Sequence, residues 1–343
     1  MTGTARQASG TSVPPSESAA AIDVSVLVPA KDEAENLELF MEQAAAAFHR
    51  DPAVRYEVVV VDDGSVDATW PTLERLRERY PFLRTARHRS RRGIADALRT
   101  GYLAARGNVM VFYPADLQYR PEDIPRLVAP IIAGESDMVT GYKQGEYEKK
   151  FVSNVYNRLS RSLFDVPVRD LNSVKAYRRE IMDGIPARPD WHRYMIVIAH
   201  TQGFTVSEIP VPLYPRHAGR SKFGIGRIPV GVLDMLSVWF ELRFGKKPLL
   251  AFGMMGAGLF LLGVLVGVVA VIWRFAPFIP PEWGGGVGYR PLLNLIETCI
   301  IVGSVFFATG LLGEQIAGQR AEIRELRRQL DELRAVRDPS SRP

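Results

Sequence analysis

The chain has 343 residues, one cysteine, and 43 Lys and Arg against 38 Asp and Glu, for a net charge of +5. That length supports one large domain with an appendage, and the lone Cys299 excludes a disulfide within the chain and fits a reducing compartment. The basic excess comes without zinc-ligand spacing or a recognition-helix pattern, so it points to anionic lipid and substrate and away from nucleic acid.

Met1 to Ala21 is dominated by Ser, Thr, Ala, Gly and Pro and has no apolar run of the signal-peptide kind, so residues 1–21 read as a disordered tail. From Val24 the chain alternates strand and helix signals. Val24 to Pro29 is a short apolar run ending at a proline. Glu33 to His49 has helical spacing, and Tyr56 to Val61 is a β-branched run of the kind buried on both faces. Asp67 to Tyr80 and Gly93 to Ala105 read as helices, and Val109 to Tyr113 as a further buried strand. This order predicts an α/β domain over 22–226, with a mostly parallel sheet between helices. Ligands of such sheets bind at the carboxyl ends of the strands.

Further along, Ile228, Val232, Met235, Leu236, Trp239 and Phe240 fall near helical spacing and predict an amphipathic helix at the membrane surface within 227–246. Leu249 to Trp273 carries no charged residue, and Leu292 to Leu312 carries only Glu297. Each run is long enough to span a bilayer, so 247–313 reads as two transmembrane helices with a short external loop. Glu297 reads as snorkelling to the nearby interface. Residues 314–343 read as a charged helix and tail, in which Ile323, Leu326, Leu330 and Leu333 make a 3-4-3 pattern too short to stand alone as a coiled coil. Arg243, Lys246 and Lys247 precede the first span, and Arg320, Arg324, Arg327 and Arg328 follow the second. Only Arg274 and Arg290 lie between, so the positive-inside rule places both termini and the large domain in the cytoplasm.

Three strand ends deliver polar clusters: Pro29 to Glu33, Asp62 to Asp67, and Pro114 to Gln118. One such cluster is an ordinary turn. Three at successive buried strand ends suit the base and ribose of a nucleotide and a divalent cation carrying its diphosphate.

Together VPAKDEAEN, VVVDDGSVD, RRGIADALRTGYLAARG and PADLQYRPEDI resemble the family 2 glycosyltransferases, and among them the dolichol- and polyprenyl-phosphate sugar synthases. RDLNSVKAYRRE, GFTVSEIPV and PRHAGRSKFG extend the likeness to about Gly226. The resemblance implies a GT-A, Rossmann-like fold. It also implies transfer of a sugar from a nucleotide-sugar donor, such as GDP-mannose or UDP-glucose, to a membrane polyprenyl phosphate, with Mg²⁺ or Mn²⁺ as cofactor. By position it implies that Pro29, Lys31, Glu33, Val61, Asp63 and Lys143 line the nucleotide sugar, that Asp116 and Gln118 serve metal and diphosphate, and that Arg216 and Lys222 stand near the phosphates. Asp170 joins the catalytic candidates, and Arg193, Arg220 and Ser221 are candidates for the acceptor phosphate. The chain departs from the family pattern where Pro114 replaces the first Asp of Asp-x-Asp, where Lys31 stands for a frequent Tyr, and where RDLNSVKAY is one residue shorter between Asp170 and Lys175.

The chemistry asks little of a base, because a polyprenyl phosphate is already an anionic oxygen nucleophile. It needs positioning, and neutralisation of the departing nucleoside diphosphate. Direct in-line attack inverts the anomeric carbon. A processive polysaccharide synthase would carry Gln-x-x-Arg-Trp and more spans, and neither is present. A non-catalytic membrane scaffold with a nucleotide-sensing domain stays open as the other reading, as does a homo-oligomer.

Overall fold

A computed structural model describes residues 21–144, 163–164, 166, 168–183, 185, 191–218, 228–245, 247–275 and 289–337. The chain divides into two compact units, Met1–Arg227 and Ile228–Pro343.

The first unit is built on strands β1 (Val24–Ala30), β2 (Tyr56–Asp62), β3 (Leu83–Arg87), β4 (Val109–Phe112), β5 (Met138–Gln144), β6 (Lys175–Arg178) and β7 (Val206–Pro212). They form one sheet in the order β3-β2-β1-β4-β6-β5-β7. All run the same way except β6, which is antiparallel to both β4 and β5. The carboxyl ends of the parallel strands and the first residue of β6, Lys175, therefore share one edge, with Lys175 in register with Phe112. The crevice between β1 and β4, where the strand order reverses, is where such sheets take ligands.

Alternation along the strands divides the core. Val24, Val26, Val28, Val58 and Val60 pack in one cluster with Leu37, Phe40, Met41 and Ala44 of α1 (Ala34–His49). Leu27 and Val61 point to the opposite face, where Gly101 of α3 (Ile94–Ala104) lies against both. A strand with a side-chain period of two is apolar where helices cover both its faces, which is why the middle of β2, Val58 to Val61, is a continuous run of valines between Glu57 and Asp62. Helices α2 (Thr69–Arg79), α4 (Ile124–Ile132), α5 (Arg179–Asp183) and α6 (Trp191–Thr201) complete the layers. α4 buries Ile124, Leu127, Val128 and Ile131 at 3.6-residue spacing.

The second unit holds α7 (Ile228–Phe244), a π-helical turn (Leu249–Gly253), α8 (Met254–Phe275) and α9 (Tyr289–Arg337). On α7 Met235 and Val238 are buried, while Leu236, which the spacing assigned to the same apolar face as Met235, is exposed. Two helical stretches, Leu249–Trp273 and Pro291–Ile323, are long and apolar enough to cross a membrane, with mean hydropathies of 2.6 and 2.0. Only 17% and 11% of their apolar windows are buried, which separates them from the core helices of a soluble protein. The two helices pack at glycines: a Cβ on Gly256 would stand 2.5 Å from Phe307 N, and one on Gly303 2.6 Å from Phe260 N, so no other residue permits this approach. The predicted second span and the charged segment after it are one helix, because no proline interrupts the sequence between Pro291 and Pro339.

Candidate functional site

The turns after β1 and β2 are latched to each other. Lys31 Nζ donates to Gly64 O at 2.8 Å, Asp32 N donates to Ser65 Oγ at 2.9 Å, and Glu33 N donates to Thr69 Oγ1 at 2.9 Å. Asp32 adopts φ 51°, and its Oδ1 accepts from Val66 N at 2.9 Å. Gly64, with φ +68°, faces the backbone of Ser90, where a Cβ would come within 2.6 Å. Only glycine fits both the left-handed turn and the close approach. Of the predicted residues, Lys31 and Glu33 are fixed by this latch, and Pro29 stands half-buried near the end of β1 just before it. Val61, which the resemblance assigned to the same group, has its side chain buried against Gly101 on α3.

At the end of β2, Asp62 Oδ1 accepts from Ser65 N at 2.8 Å. Arg87 Nε lies 3.2 Å from Asp62 Oδ2, near enough to pair in charge but without hydrogen-bond alignment. Asp63 is more fully engaged. Its Oδ1 accepts from Arg92 N at 2.7 Å and lies 2.8 Å from His88 Nδ1, and its Oδ2 accepts from Gly93 N at 2.8 Å. A carboxylate is acceptor only, so Nδ1 carries the proton and Nε2 is left to accept from Thr100 Oγ1 at 2.9 Å. Asp63 therefore pins the loop that leads into α3. Sequence reading missed His88, whose role only this three-way contact reveals.

The end of β4 is different. Leu117 sits at φ 57°, and Asp116 Oδ1 accepts from Gln118 N at 3.2 Å, which presents both side chains from one tight turn. Asp116 Oδ2 and Gln118 Oε1 meet a single nitrogen, Nη2 of Arg216, at 2.9 and 3.2 Å. Arg216 arrives on the segment after β7, held there because Tyr214 N donates to Gln118 O at 2.9 Å and Arg120 stacks over the Tyr214 ring at 4.0 Å. Two hard oxygen donors thus converge on one positive point, the arrangement a divalent cation also requires. Among the described residues no group of three or more His, Cys, Asp or Glu gathers to hold a metal alone, so the other ligands would come from diphosphate and water. Pro114 is consistent with this: it takes away the carboxylate that would have made the set larger.

Beside this cluster lies a buried ion pair. Lys143, at the end of β5, is 3.1 Å from Asp170 Oδ2, and Asp170 Oδ1 accepts from Asn172 N at 2.9 Å. Ser173 Oγ donates to Tyr119 Oη at 3.1 Å, tying this loop to the residue after Gln118. Lys175 is wholly buried, and its Nζ donates to Leu171 O and His192 O at 3.1 and 3.0 Å. Burial pushes Lys175 down to about 8, against the pull of Asp170. His192 is pushed to about 3 by burial and by the nearby Lys175 and Arg193, so its imidazole is neutral. Arg193 itself is half-buried on α6, next to the residue whose carbonyl holds Lys175. A lysine inside a strand carries no sequence signal of such a role. Of the remaining predicted residues, Arg220, Ser221 and Lys222 lie outside the described residues.

The pattern of the family described as Glycosyl transferase family 2 matches residues 25–183. The dodecaprenyl-phosphate galacturonate synthase of Rhizobium johnstonii is 31% identical over 305 residues, covering 86% of this chain and 88% of the relative. The undecaprenyl-phosphate 4-deoxy-4-formamido-L-arabinose transferase of Pseudomonas fluorescens is 28% identical, covering 88% and 86%. Among solved structures, glucosyl-3-phosphoglycerate synthase from Mycobacterium tuberculosis matches with a TM-score of 0.52 and 20% identity over 64% of this chain and 78% of its own. That likeness is one of fold, and it identifies the sheet as the GT-A type. Similarity along nearly the whole of both chains to the Rhizobium enzyme, with the family pattern over the strand ends just described, establishes that this chain belongs to glycosyltransferase family 2.

Proposed function

We propose that the enzyme moves a sugar from a nucleoside-diphosphate sugar onto a membrane polyprenyl phosphate, with inversion at the anomeric carbon. The observation that carries this reading is the convergence of Asp116, Gln118 and Arg216 at the sheet's ligand-binding edge. It is supported by relatives named for transfer to dodecaprenyl and undecaprenyl phosphate and by two helices able to cross a membrane. In the reaction a phosphate oxygen of the lipid attacks the anomeric carbon. The bond from that carbon to the diphosphate breaks, and the nucleoside diphosphate leaves with the electron pair.

Asp116 and Gln118 would hold Mg²⁺ or Mn²⁺, which when bound neutralises the charge that gathers on the leaving diphosphate. The solved structure of the same fold holds Mn²⁺ and UDP, in keeping with this assignment. With a cation held there, Arg216 would turn its guanidinium to a phosphate, for which its planar fork is suited. The latched turn with Lys31 and Glu33, and Pro29 just before it, seats the nucleotide, while the Lys143–Asp170 pair lies beside the sugar. Residues 22–226 carry the chemistry, the two spans anchor the chain to the membrane of its lipid acceptor, and both termini lie in the cytoplasm, a topology supported by the Lys and Arg asymmetry.

The test is to incubate the full chain in vesicles containing polyprenyl phosphate with a panel of UDP- and GDP-sugars and Mn²⁺, and to weigh the lipid. One donor should yield a lipid heavier by one glycosyl residue. Intact lipid with every donor, or hydrolysis of the donor to free sugar alone, would overturn the proposal.

A further inference from the structure

Helix α9 continues without a break past its apolar span to Arg337, through sequence that becomes charged. After Leu312, where charged residues return and the stretch able to cross a membrane runs out at Ile323, Ile316, Ile323, Leu326 and Leu330 stay exposed, at 51, 51, 53 and 53% of their surface. Positions 316, 323 and 330 repeat every seven residues and carry Ile, Ile and Leu. Positions 319, 326 and 333 repeat in the same way and carry Gln, Leu and Leu. These are the a and d positions of a heptad seam.

We propose that this seam closes on the same segment of a second copy, as a parallel two-stranded coiled coil that continues from the second span. Charge selects the partner and its direction. In a parallel pair each g position faces the e position five residues on in the other helix. Glu322 then faces position 327 of the second copy, an arginine, while Gln315 and Gln329 face positions 320 and 334, also arginines, so no like charges meet at these flanking g and e positions. In an antiparallel pair the e positions face one another, and arginines 320, 327 and 334 would be set against arginines. Arg320 is 3.8 Å from Glu241 on α7 of its own copy and remains 62% exposed, so it keeps surface for a second contact. Membrane insertion gives the same direction independently: copies inserted alike send their second helices out of the bilayer on the same side and parallel. Ile at the first two a positions with Leu at the last two d positions is the core pattern that favours two strands over three.

Cysteine cross-linking of the full chain in vesicles tests this in a Cys299→Ser background. Leu330→Cys, at an a position, should shift to a disulfide-linked dimer on mild oxidation. Ala321→Cys, at the opposite f position, should stay monomeric. A second measurement guards against chance collision: Leu326→Glu combined with Leu330→Glu should shift the detergent-solubilised chain from dimer to monomer mass in light scattering. Equal cross-linking at 321 and 330, no dimer at 330, or a mass unmoved by the paired glutamates would each overturn the proposal, because the stripe would then face the bilayer or the rest of its own chain.

Discussion

Asp63 at the end of β2 and Asp116 at the end of β4 both follow buried strands, yet the protein treats them differently. Asp63 receives three hydrogen-bonding partners from one loop, two of them backbone amides. Asp116 accepts from the backbone amide of Gln118 and pairs with Arg216, whose same nitrogen also meets Gln118. A carboxylate saturated by backbone cannot exchange partners without unfolding its loop, whereas one paired with a mobile side chain can. We therefore propose a division of work in which the β2 end builds the cradle and the β4 end meets the substrate.

Replacing Asp63 by Ala is the sharpest way to break that contrast. It leaves His88 and two amides without their acceptor, so it should cost about 3–5 kcal/mol of stability, within the range for breaking a buried polar network. Chemical denaturation of the first unit's signal would read this, and a midpoint unmoved by the change would dissolve the distinction from the other side. Arg216→Lys keeps the charge and loses the fork. Turnover should fall about tenfold, equal to roughly 1.4 kcal/mol, while the denaturation midpoint holds. A loss of stability comparable to that of Asp63→Ala would make the β4 end scaffold as well. The smallest effect concerns Lys175. Its folded pKa of about 8 lies below the unfolded value, so the unfolded chain binds the proton more tightly and stability rises with pH through this window. Between pH 7 and 9 the gain should be about 1 kcal/mol. Lys175→Met should remove this rise, and an identical pH slope in wild type and variant would refute the assignment.

Much of this arrangement was legible in the residues. Strands β1, β2 and β4 are read directly because the stretches covered on both faces, Val26–Pro29, Val58–Val61 and Val109–Phe112, are apolar runs. β3 was not, since Leu-Arg-Thr-Ala-Arg is half polar, as suits an edge strand. Nor was the reversal at β6, which depends on which strands it pairs with and not on its own four residues. The motif resemblance named Asp116, Gln118 and Arg216, but the shared nitrogen that joins them across 98 residues belongs to tertiary structure. The same resemblance placed Val61 and Asp63 along the nucleotide sugar. That the Val61 side chain packs against Gly101 and the Asp63 carboxylate is bonded by its own loop are tertiary features that local spacing does not encode.

The most direct test of the division between the two strand ends is Asp116→Asn, which keeps shape and removes charge. Transfer of sugar to polyprenyl phosphate should be measured across a Mn²⁺ titration from metal-depleted buffer, with the denaturation midpoint followed in parallel. Turnover is expected to fall by about 100-fold or more at every Mn²⁺ concentration, equal to roughly 2.7 kcal/mol, with the midpoint unchanged. Near-full turnover by this variant with Mn²⁺ present would contradict the account, because the β4 end would then not be where the leaving diphosphate is held.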